Sequence, residues 1–517
     1  MLQRIRSLIS LQRVRPSPID KKIGSELFEQ PVFIGGILVF SAFAALAIVK
    51  FGIIVGFILV GAPFGIFYLG SIIANPRIGV TSALFVGFFS AGIARYISGP
   101  WGLLIDIVLF VAWLGLLFKK FNKTDWSPLR RDVFILSIVW FAYVLMELGN
   151  PEMISATAWF YAMRGVGFYQ LLTFGLVFML YRKPKYLDQF LYIIGTISLL
   201  GTLWGFRQMI FGTDAAEDYW LYDVGHDEEH ILHGVLRVFS FYSDAGQFGA
   251  SQAMISMVFG LMCLGPIGWS KRIFFGIISI SCFLGFAISG TRGALAVPAA
   301  GILIYLVISK NFQILITGLV MVGAIYYILR FTFLFQGVEQ VRRMRSGLDP
   351  NSPSLMARLN NQKTFGRYLA RRPIGGGIGT AGYWGARFTP YTLLANTATD
   401  SYYVKIWAET GIIGICLHLF ILGYFMGKGA YIVWNLKDRE LWYKIMALYC
   451  GIGGVLLASY GNQVFSQMPT GMIMNISIPF VFLSPLYDKL IAEAKEEKRQ
   501  NEAIKIFKNE EELNINY

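Results

Sequence analysis

An arginine inside an apolar stretch is the first residue of this chain whose type and position could do chemistry. Arg292, in the segment Ser-Gly-Thr-Arg-Gly-Ala, is the only charged residue between positions 273 and 308. Burying an unpaired guanidinium in a membrane span costs roughly 2.5–3.5 kcal/mol on insertion scales. Its planar fork of N–H donors matches the oxygens of a phosphate group. We therefore expect Arg292 to bind a phosphate; the alternative is an arginine that extends outward to the membrane interface.

Arg237 and Arg358 lie in two further segments that could serve an anion. Arg237 precedes Phe-Ser-Phe-Tyr-Ser-Asp, whose polar residues could line a wet cavity or cap the next helix through Ser243 or Asp244. Arg358 lies in residues 354–372, which have the pattern of a basic amphipathic helix ended by a proline and glycines. Such a helix either lies on anionic lipid headgroups or covers a cavity and presents Arg358 to a pyrophosphate.

Asp400 and Glu409 are the candidate general bases. Asp400 begins the apolar segment after the arginine-rich loop, and Glu409 lies about two and a half helical turns beyond it. A carboxylate near several arginines could accept a proton from a reacting hydroxyl group. The alternative for Asp400 is a helix N-cap, and the alternative for Glu409 is an i,i+4 ion pair with Lys405.

Two weaker patterns involve histidines and a distant acid–base pair. His226, His230 and His233 have a spacing that could bind Zn²⁺ on a helix. Their loop is strongly acidic, so a solvated surface is the preferred interpretation and no metal site is predicted. Asp106 and Arg164 lie near the outer ends of predicted spans, where they either pair with each other or line a pocket.

The composition places all these residues in a membrane protein. Hydrophobic residues make up 55% of the 517 residues and charged residues 15%, whereas an ordinary globular domain has about 25% charged residues. Such a chain cannot cover a water-facing surface, which excludes soluble enzymes, disulfide scaffolds and disordered chains. The net charge of +14 is assigned to loops between spans, so nucleic acid is not an expected partner.

Apolar segments long enough to cross a hydrocarbon core, which needs roughly 20 residues per helix, recur along the chain. We predict an all-α polytopic membrane protein with about 14 (12–14) transmembrane helices and a large outer loop that contains amphipathic helices. The predicted spans lie near 32–50, 52–73, 78–98, 102–118, 131–147, 160–181, 189–206, 243–264, 273–288, 295–308, 312–332, 401–425, 446–464 and 470–487. Residues 273–308 would form a single helix of about 54 Å, so a hairpin that turns at residues 289–293 is expected instead.

Lysines and arginines in the short loops predict the sidedness. The basic N-terminal segment should remain in the cytoplasm, and counting forward places the clusters at 119–131, 182–185, 271–272 and 428–444 on the same side, with the charged tail 488–517. This leaves 207–242, 289–294 and 333–400 outside. The loop 333–400 contains eight arginines but only the acids Glu339 and Asp349 up to position 399. So much arginine on the outer face predicts an anionic partner.

These segments, in this order, resemble the O-antigen ligase/O-antigen polymerase family of bacterial inner-membrane proteins. That family has a Ser-x-x-Arg-Gly turn, an outer loop with an Arg before Pro-x-x-Gly-x-Gly, and a helix of the form His/Asp-Asn-x-Tyr continuing to Glu-x-Gly-x-x-Gly. The matching positions here, within residues 235–480, are Ser289 to Gly293, Arg358, Pro373 to Gly377, Asp400 to Tyr403 and Glu409 to Gly414. Arg237 and the residues after it resemble the family's Arg-x-x-Gly-x-Phe segment, with Ser240 in place of the glycine.

The resemblance implies a metal-independent membrane glycosyltransferase that needs no cofactor. Its donor would be a glycan on undecaprenyl diphosphate at the periplasmic face, and its arginines would stabilise the lipid-diphosphate leaving group. Asp400 stands where the family's ligases have histidine, and Ser401 replaces the usual asparagine. This favours a polymerase that joins repeat units of O-antigen, capsule or exopolysaccharide over a ligase that transfers glycan to another acceptor. A polysaccharide flippase or transporter is the alternative from a different class, disfavoured because the charges lie in one asymmetric outer loop.

The same resemblance assigns roles and regions. The catalytic residues would be Asp400, Arg292 and, less favoured, Glu409; the substrate-binding residues would be Arg237, Arg358, Arg164, Tyr402, Gly375 and Gly377. The expected partners are the undecaprenyl-diphosphate-linked glycan, membrane lipids, and candidate flippase and chain-length regulator proteins. The expected regions are a cytoplasmic segment 1–31, N-terminal membrane helices with the acidic outer loop 32–234, a catalytic membrane core 235–487 that includes the periplasmic loop 333–400, and a cytoplasmic tail 488–517.

Overall fold

The computed structural model describes residues 53–118, 124–232, 234–334 and 353–515, with scattered positions within 35–50 and 337–349. Contacts divide the chain into two units, Met1–Ser71 and Ile72–Tyr517. The predicted first span, 32–50, and the basic N-terminal segment lie largely or wholly outside the described residues. The larger unit contains every described candidate site residue.

The described chain is helical apart from one short hairpin. The helices before and beside the hairpin are α1 (Ile53–Ala74), α2 (Arg77–Tyr96), α3 (Leu103–Phe118), α4 (Asp132–Met146), α5 (Ala156–Met163), α6 (Tyr169–Leu180), α7 (Lys185–Phe211), α8 (Ala215–Asp218) and α9 (Asp227–His230). The strands β1 (Ile231–Leu232) and β2 (Val235–Leu236) pair antiparallel, with Ile231 opposite Leu236. The later helices are α10 (Ala245–Cys263), α11 (Trp269–Ile288), α12 (Ala296–Ile308), α13 (Phe312–Phe331), α14 (Pro353–Leu369), α15 (Gly382–Phe388), α16 (Leu393–Asn396), α17 (Tyr402–Asn435), α18 (Arg439–Ala458) and α19 (Thr470–Ile515).

The prediction of an all-α polytopic membrane protein is confirmed. Eight helical stretches among the described residues are long and apolar enough to cross a membrane. They are Arg77–Tyr96, Asp132–Gly149, Ala156–Leu180, Lys185–Phe211, Trp269–Ile288, Tyr402–Asn435, Arg439–Ala458 and Thr470–Glu502. The other predicted spans within the described residues correspond to α10 and to shorter apolar helices, so the total of about fourteen stays a prediction.

The predicted hairpin at residues 289–293 is also confirmed. Helix α11 ends at Ile288, a 3₁₀ turn spans Arg292–Leu295, and α12 begins at Ala296. Gly290 lies between them with a φ of +59°, a left-handed conformation that costs glycine little because it has no Cβ. The break therefore places Arg292 at the end of the bundle instead of inside a continuous helix.

Helices α10, α18 and α19 form the centre of the larger unit. The apolar window of α18 is 83% buried and that of α19 is 89% buried, as expected for helices that are apolar on all sides. Close backbone approach contributes to this burial: a Cβ added at Gly454 would lie 2.4 Å from the carbonyl oxygen of Val297. Small residues at helix contacts are the usual means of tight packing in membranes.

Basic loops meet at the end of the bundle opposite to the candidate site. Lys428 pairs with Asp132, Lys444 pairs with Asp188 at 2.6 Å, and Lys495 pairs with Asp438. All six residues belong to loops or loop-proximal helix ends that the charge pattern assigns to one side. Helix α19 continues through the charged tail, which reaches position 515 as helix.

Candidate functional site

A cavity of about 1220 Å³ opens where distant segments of the chain meet. Five of the predicted site residues line it: Arg164, Arg237, Arg292, Arg358 and Asp400. In the same order, they come from the π-helical turn between α5 and α6, the position after strand β2, the α11–α12 turn, helix α14 and the segment just before α17. The structure therefore brings together residues up to 236 positions apart, whereas Tyr402, Glu409, Gly375 and Gly377 do not line this cavity.

Arg237 is fixed beside the turn that carries Arg292. Its Nη2 donates to the Oγ1 of Thr291 at 3.2 Å, and its Nη1 donates to the carbonyl oxygen of Glu229 at 3.1 Å. The same Thr291 hydroxyl donates to the carbonyl oxygen of Ala245 at 2.8 Å. Because Thr291 immediately precedes Arg292, these bonds hold two candidate phosphate-binding residues at neighbouring positions on the cavity wall.

The Arg292 turn depends on close packing against α10. Ser289 is fully buried, and its hydroxyl accepts a hydrogen bond from the backbone N–H of Thr291 at 3.2 Å. A Cβ added at Gly249 of α10 would lie 2.3 Å from the Oγ of Ser289 and 3.0 Å from the Cβ of Thr291. Arg292 itself is exposed to the cavity. A rigid small-residue contact thus supports a side chain that is open to a ligand.

Arg358 and Asp400 form an ion pair on the other side of the Arg292 turn. The Nε of Arg358 lies 3.3 Å from the Oδ2 of Asp400, with the two side chains 37% and 45% exposed. The ion pair lies near this turn. A Cβ added at Gly461 would lie 3.8 Å from the Nη1 of Arg358 and 3.9 Å from the Cα of Gly293, so Gly461 separates the two. The N-cap alternative for Asp400 is wrong, because Ser401 accepts the capping bond from the N–H of Val404.

Other arginines of the outer loop are used differently. Arg372 pairs with Glu152 at 2.9 Å, and the guanidinium carbon of Arg372 lies 4.0 Å from the centre of the Tyr368 ring. Burial raises the pKa of Tyr368 above its ordinary value. Among the described arginines of 333–400, only Arg358 lines the cavity; Arg343 lies outside the described residues. Arg372 therefore attaches the loop to the rest of the protein, whereas Arg358 is available to a ligand in the cavity.

Arg164 and Asp244 complete the polar wall. Arg164 pairs with Asp106 at 2.9 Å, so both alternatives for this arginine hold: it is paired and it lines the cavity. It opens a π-helical turn between α5 and α6, a local widening that is frequent at functional sites. Asp244 caps α10 by accepting from the N–H of Gln247 at 2.9 Å, as one of the two alternatives for its segment predicts.

Glu409 lies behind the cavity wall, where it holds the glycine-rich loop. It is fully buried, and its Oε1 accepts from the N–H of Gly379 at 3.1 Å. The ion pairs of the described residues do not include the expected contact with Lys405. This placement indicates that Glu409 orients the glycine-rich loop. It does not support contact between Glu409 and a substrate.

Gly375 and Gly377 also serve the docking of this loop. The N–H of Gly377 donates to the carbonyl oxygen of Glu409 at 2.8 Å. Gly375 has a φ of +81°, and its added Cβ would lie 2.4 Å from the backbone nitrogen of Gly411. Gly411, with a φ of +63°, interrupts α17 at this point. The two glycine motifs therefore fit each other, backbone against backbone, instead of reaching the cavity.

Tyr402 is a core residue in this structure. Its side chain is fully buried, its hydroxyl lies 3.0 Å from the Nε2 of His418, and its ring contacts Phe465 edge-on. Because the cavity-lining residues do not include it, its placement does not support the expected role in substrate binding.

The histidine segment packs around Trp220, and both His226 and His230 line the cavity. Trp220 stacks on His226 and meets His230 edge-on. His230 is only 2% exposed, so the interpretation of a solvated surface is wrong for this residue. Burial lowers the pKa of His230 to about 4, because desolvation disfavours the charged imidazole. The described residues contain no group of ligands suited to a metal ion, and His233 lies outside them.

The sequence patterns do not single out several residues that lie in or beside the site. Tyr161 stacks on Trp384 with ring centres 4.7 Å apart, and both line the cavity with the largely exposed Tyr383. Arg95 is buried under the cavity and donates to the carbonyl oxygen of Ser240 at 2.7 Å, which fixes the segment after Arg237. Arg95 lies inside a predicted apolar span, and a charge in such a position is a signal that could have identified it.

Two comparisons with known proteins concern the family of this chain. A family model described as O-antigen ligase matches residues 277–419, the segment that contains Arg292, Arg358 and Asp400. An O-antigen polymerase of Salmonella muenchen is 23% identical over 346 residues, which cover 62% of this chain and 81% of that protein. Both likenesses support the O-antigen ligase/O-antigen polymerase family and a function of the polymerase or ligase type, that of a glycosyltransferase-like membrane enzyme.

Proposed function

We propose that this protein is a polymerase that joins undecaprenyl-diphosphate-linked oligosaccharide repeat units at the periplasmic face of the bacterial inner membrane. The product would be O-antigen, capsule or exopolysaccharide. The observation that carries the proposal is the convergence of Arg237, Arg292 and Arg358 on one cavity. Three guanidiniums from separate segments form a site for a multiply charged anion at the end of a membrane bundle, where the diphosphate of a lipid carrier would lie.

The arginines suit the leaving group of this reaction. The acceptor hydroxyl attacks the anomeric carbon of the donor sugar, a new glycosidic bond forms, and the bond from that carbon to the diphosphate oxygen breaks. The electron pair leaves with the lipid diphosphate, so negative charge develops there. Fixed donors such as Arg237 and Arg292 stabilise that charge without reorganising during the reaction. We propose that this stabilisation makes the reaction metal-independent.

Asp400 is the proposed acceptor of the hydroxyl proton. It lies on the cavity wall, and its contact with Arg358 orients the carboxylate next to the proposed diphosphate site. A base in this position can take the proton as the new glycosidic bond forms, a contribution worth typically about 10²–10⁴-fold in rate. Glu409, which is committed to the backbone of Gly379, is the weaker candidate.

The aromatic wall supports a carbohydrate substrate. Tyr161, Tyr383 and Trp384 lie together on the cavity surface. Sugar rings present faces of C–H groups, which pack favourably on the negative faces of aromatic rings. The cavity therefore combines a cationic region for a diphosphate with an apolar aromatic region for a glycan.

A ligase that transfers the glycan to another acceptor is the alternative, since the donor half of the reaction would be the same. The likeness to an O-antigen polymerase over 81% of its length supports the polymerase. A flippase would move the lipid-linked glycan without making a new bond. New glycosidic bonds in a purified system therefore separate both polymerase and ligase from a transporter.

The decisive experiment uses purified protein in lipid vesicles with lipid-linked repeat units as the sole glycan. Wild-type protein should give a ladder of products that increase by one repeat unit, and Arg292→Ala should give none while inserting normally. Arg371→Ala is the matched control, because Arg371 is an exposed arginine of the outer loop 333–400 that does not line the cavity. A normal ladder from Arg292→Ala would reject the proposed role of the arginine, and transfer only to a different added acceptor would favour the ligase.

A further inference from the structure

Lys405 is a nearly buried cation on the cavity wall. It lies in the second turn of α17, is 8% exposed, and its side chain lines the same cavity as Arg358 and Asp400. In the part of the chain that the structure describes, no ion pair includes Lys405. An ammonium group in such a position has lost most of its hydration without gaining an ion pair, so an anion bound in the cavity would stabilise it.

The carboxylate one turn away interacts electrostatically with Lys405 but forms no ion pair with it. Glu409 follows Lys405 by four residues, but its Oε1 accepts from the backbone N–H of Gly379. That bond commits the carboxylate to the glycine-rich loop behind the wall. The sequence pattern of an i,i+4 ion pair therefore places the two side chains on one face of the helix, but they form no ion pair, and only Lys405 lines the cavity.

Polar neutral groups lie near the end of the lysine side chain. A Cβ added at Gly382 would lie 3.9 Å from the Cε of Lys405, and 3.4 Å from the hydroxyl of Thr399. Thr399 accepts a hydrogen bond from the Nε2 of Gln463 at 2.9 Å. Gly382, Thr399 and Gln463 all line the cavity together with Lys405.

We propose that Lys405 binds an anionic oxygen of the substrate, specifically a phosphate oxygen of the lipid diphosphate. The identity of this ligand rests on the proposed function, whereas the absence of an ion pair with Lys405 does not. In this role Lys405 joins Arg237, Arg292 and Arg358 at the proposed diphosphate site, and its ammonium group donates a charge-assisted hydrogen bond to the diphosphate as the sugar leaves. A carboxylate of an acidic sugar would offer the same chemistry from a different source.

Binding of a sugar-free polyprenyl diphosphate to the full-length purified protein tests this directly. Lys405→Met should weaken binding by about tenfold or more, the effect of losing a hydrogen bond to a charged group. Lys405→Arg should retain part of the affinity because it keeps the charge. Lys363→Met is the matched control: it removes one positive charge from an exposed position on α14 that does not line the cavity.

Each outcome decides a different claim. Equal affinity of Lys405→Met and wild type for the sugar-free diphosphate overturns the inference, and weakened binding confined to acidic glycans identifies the carboxylate source instead. Lys405→Gln replaces Lys405→Met if the latter does not purify as a folded protein. Wild-type protein that binds the diphosphate but forms no polymer would contradict the proposed function and leave the role of Lys405 in anion binding intact.

Discussion

Asp400 accepts a hydrogen bond from the Nε of Arg358 at 3.3 Å, which joins the candidate base to a candidate phosphate ligand 42 positions away in sequence. Both side chains remain partly exposed to the cavity, so the pair is accessible to substrate. We expect a bound diphosphate to attract the guanidinium of Arg358 and leave the carboxylate of Asp400 directed at the acceptor hydroxyl. The ion pair would then hold both groups in position before substrate binds.

Replacing Asp400 by asparagine should lower the rate of glycan extension by about 10²–10⁴-fold, because the amide cannot accept the hydroxyl proton. The KM for the donor should change little, since Arg358 remains. Initial rates with purified protein measure both quantities. Adding Arg358→Ala to Asp400→Asn should cost less than the sum of the single effects, because the two residues share one interaction.

Asp223→Asn is the control for this change, as Asp223 is exposed and does not line the cavity. If Asp400→Asn extends glycans at a rate close to that of the wild type, Asp400 is not the base.

Glu409→Gln should retain most of the activity, whereas Glu409→Ala should lose it together with stability. The glutamine oxygen can still accept from the N–H of Gly379, but alanine leaves that buried donor without its partner. An unsatisfied buried donor costs about 1–3 kcal/mol. Extension rates and thermal unfolding in detergent distinguish the two variants. A Glu409→Gln protein that is stable but inactive would instead identify Glu409 as a catalytic acid or base.

Gly411→Ala should destabilise the protein and reduce activity through the glycine-rich loop. Gly411 has a φ of +63°, and its added Cβ would lie 2.2 Å from the carbonyl oxygen of Pro373. A side chain held in this region of backbone space costs about 1–3 kcal/mol before the clash is counted. The unfolding temperature measures the loss.

Gly423→Ala provides the matched control in the same helix, since a Cβ at Gly423 meets nothing within 4 Å. Its unfolding temperature should equal or exceed that of the wild type, because alanine favours a helix interior. Equal unfolding temperatures for Gly411→Ala and Gly423→Ala would show that the contact between the loop and α17 does not contribute to stability.

Stability should fall as the pH drops from about 6.5 towards 4, in part because of His230. Burial holds the pKa of His230 at about 4, below the ordinary value of 6.5, so the unfolded chain binds the proton first in this window. The folded state thus loses free energy relative to the unfolded state, by at most about 3 kcal/mol for this one residue.

His230→Leu removes the titrating group and should flatten the pH dependence of the unfolding temperature between pH 7 and 5. The variant also loses the bond between the Nδ1 of His230 and the carbonyl oxygen of His226, so only the slope with pH is informative. The same slope in variant and wild type would assign the acid sensitivity to other groups.

Local chemistry determined the membrane class, most helix positions and the hairpin at residues 289–293. An apolar run long enough to cross a bilayer must form a helix, because lipid offers no partner for exposed backbone groups. The small residues around Arg292 likewise specify a break in the helix, since glycine accommodates a tight turn. Arg237, Arg292, Arg358 and Asp400 could be selected because charge beside apolar segments is costly and requires a reason.

Only the tertiary structure decided which polar residues share a surface. Glu409 and Lys405 are neighbours on one helix, yet one holds a loop and the other lines the cavity. Tyr161 and Trp384 stack although more than 200 positions separate them. A sequence pattern reports spacing along one element, whereas the side of the wall on which a residue lies depends on the packing of segments that are distant in the chain. The sequence therefore determined which residues are polar or charged. The packing of the helices determined which of them line the cavity and which support its wall from behind.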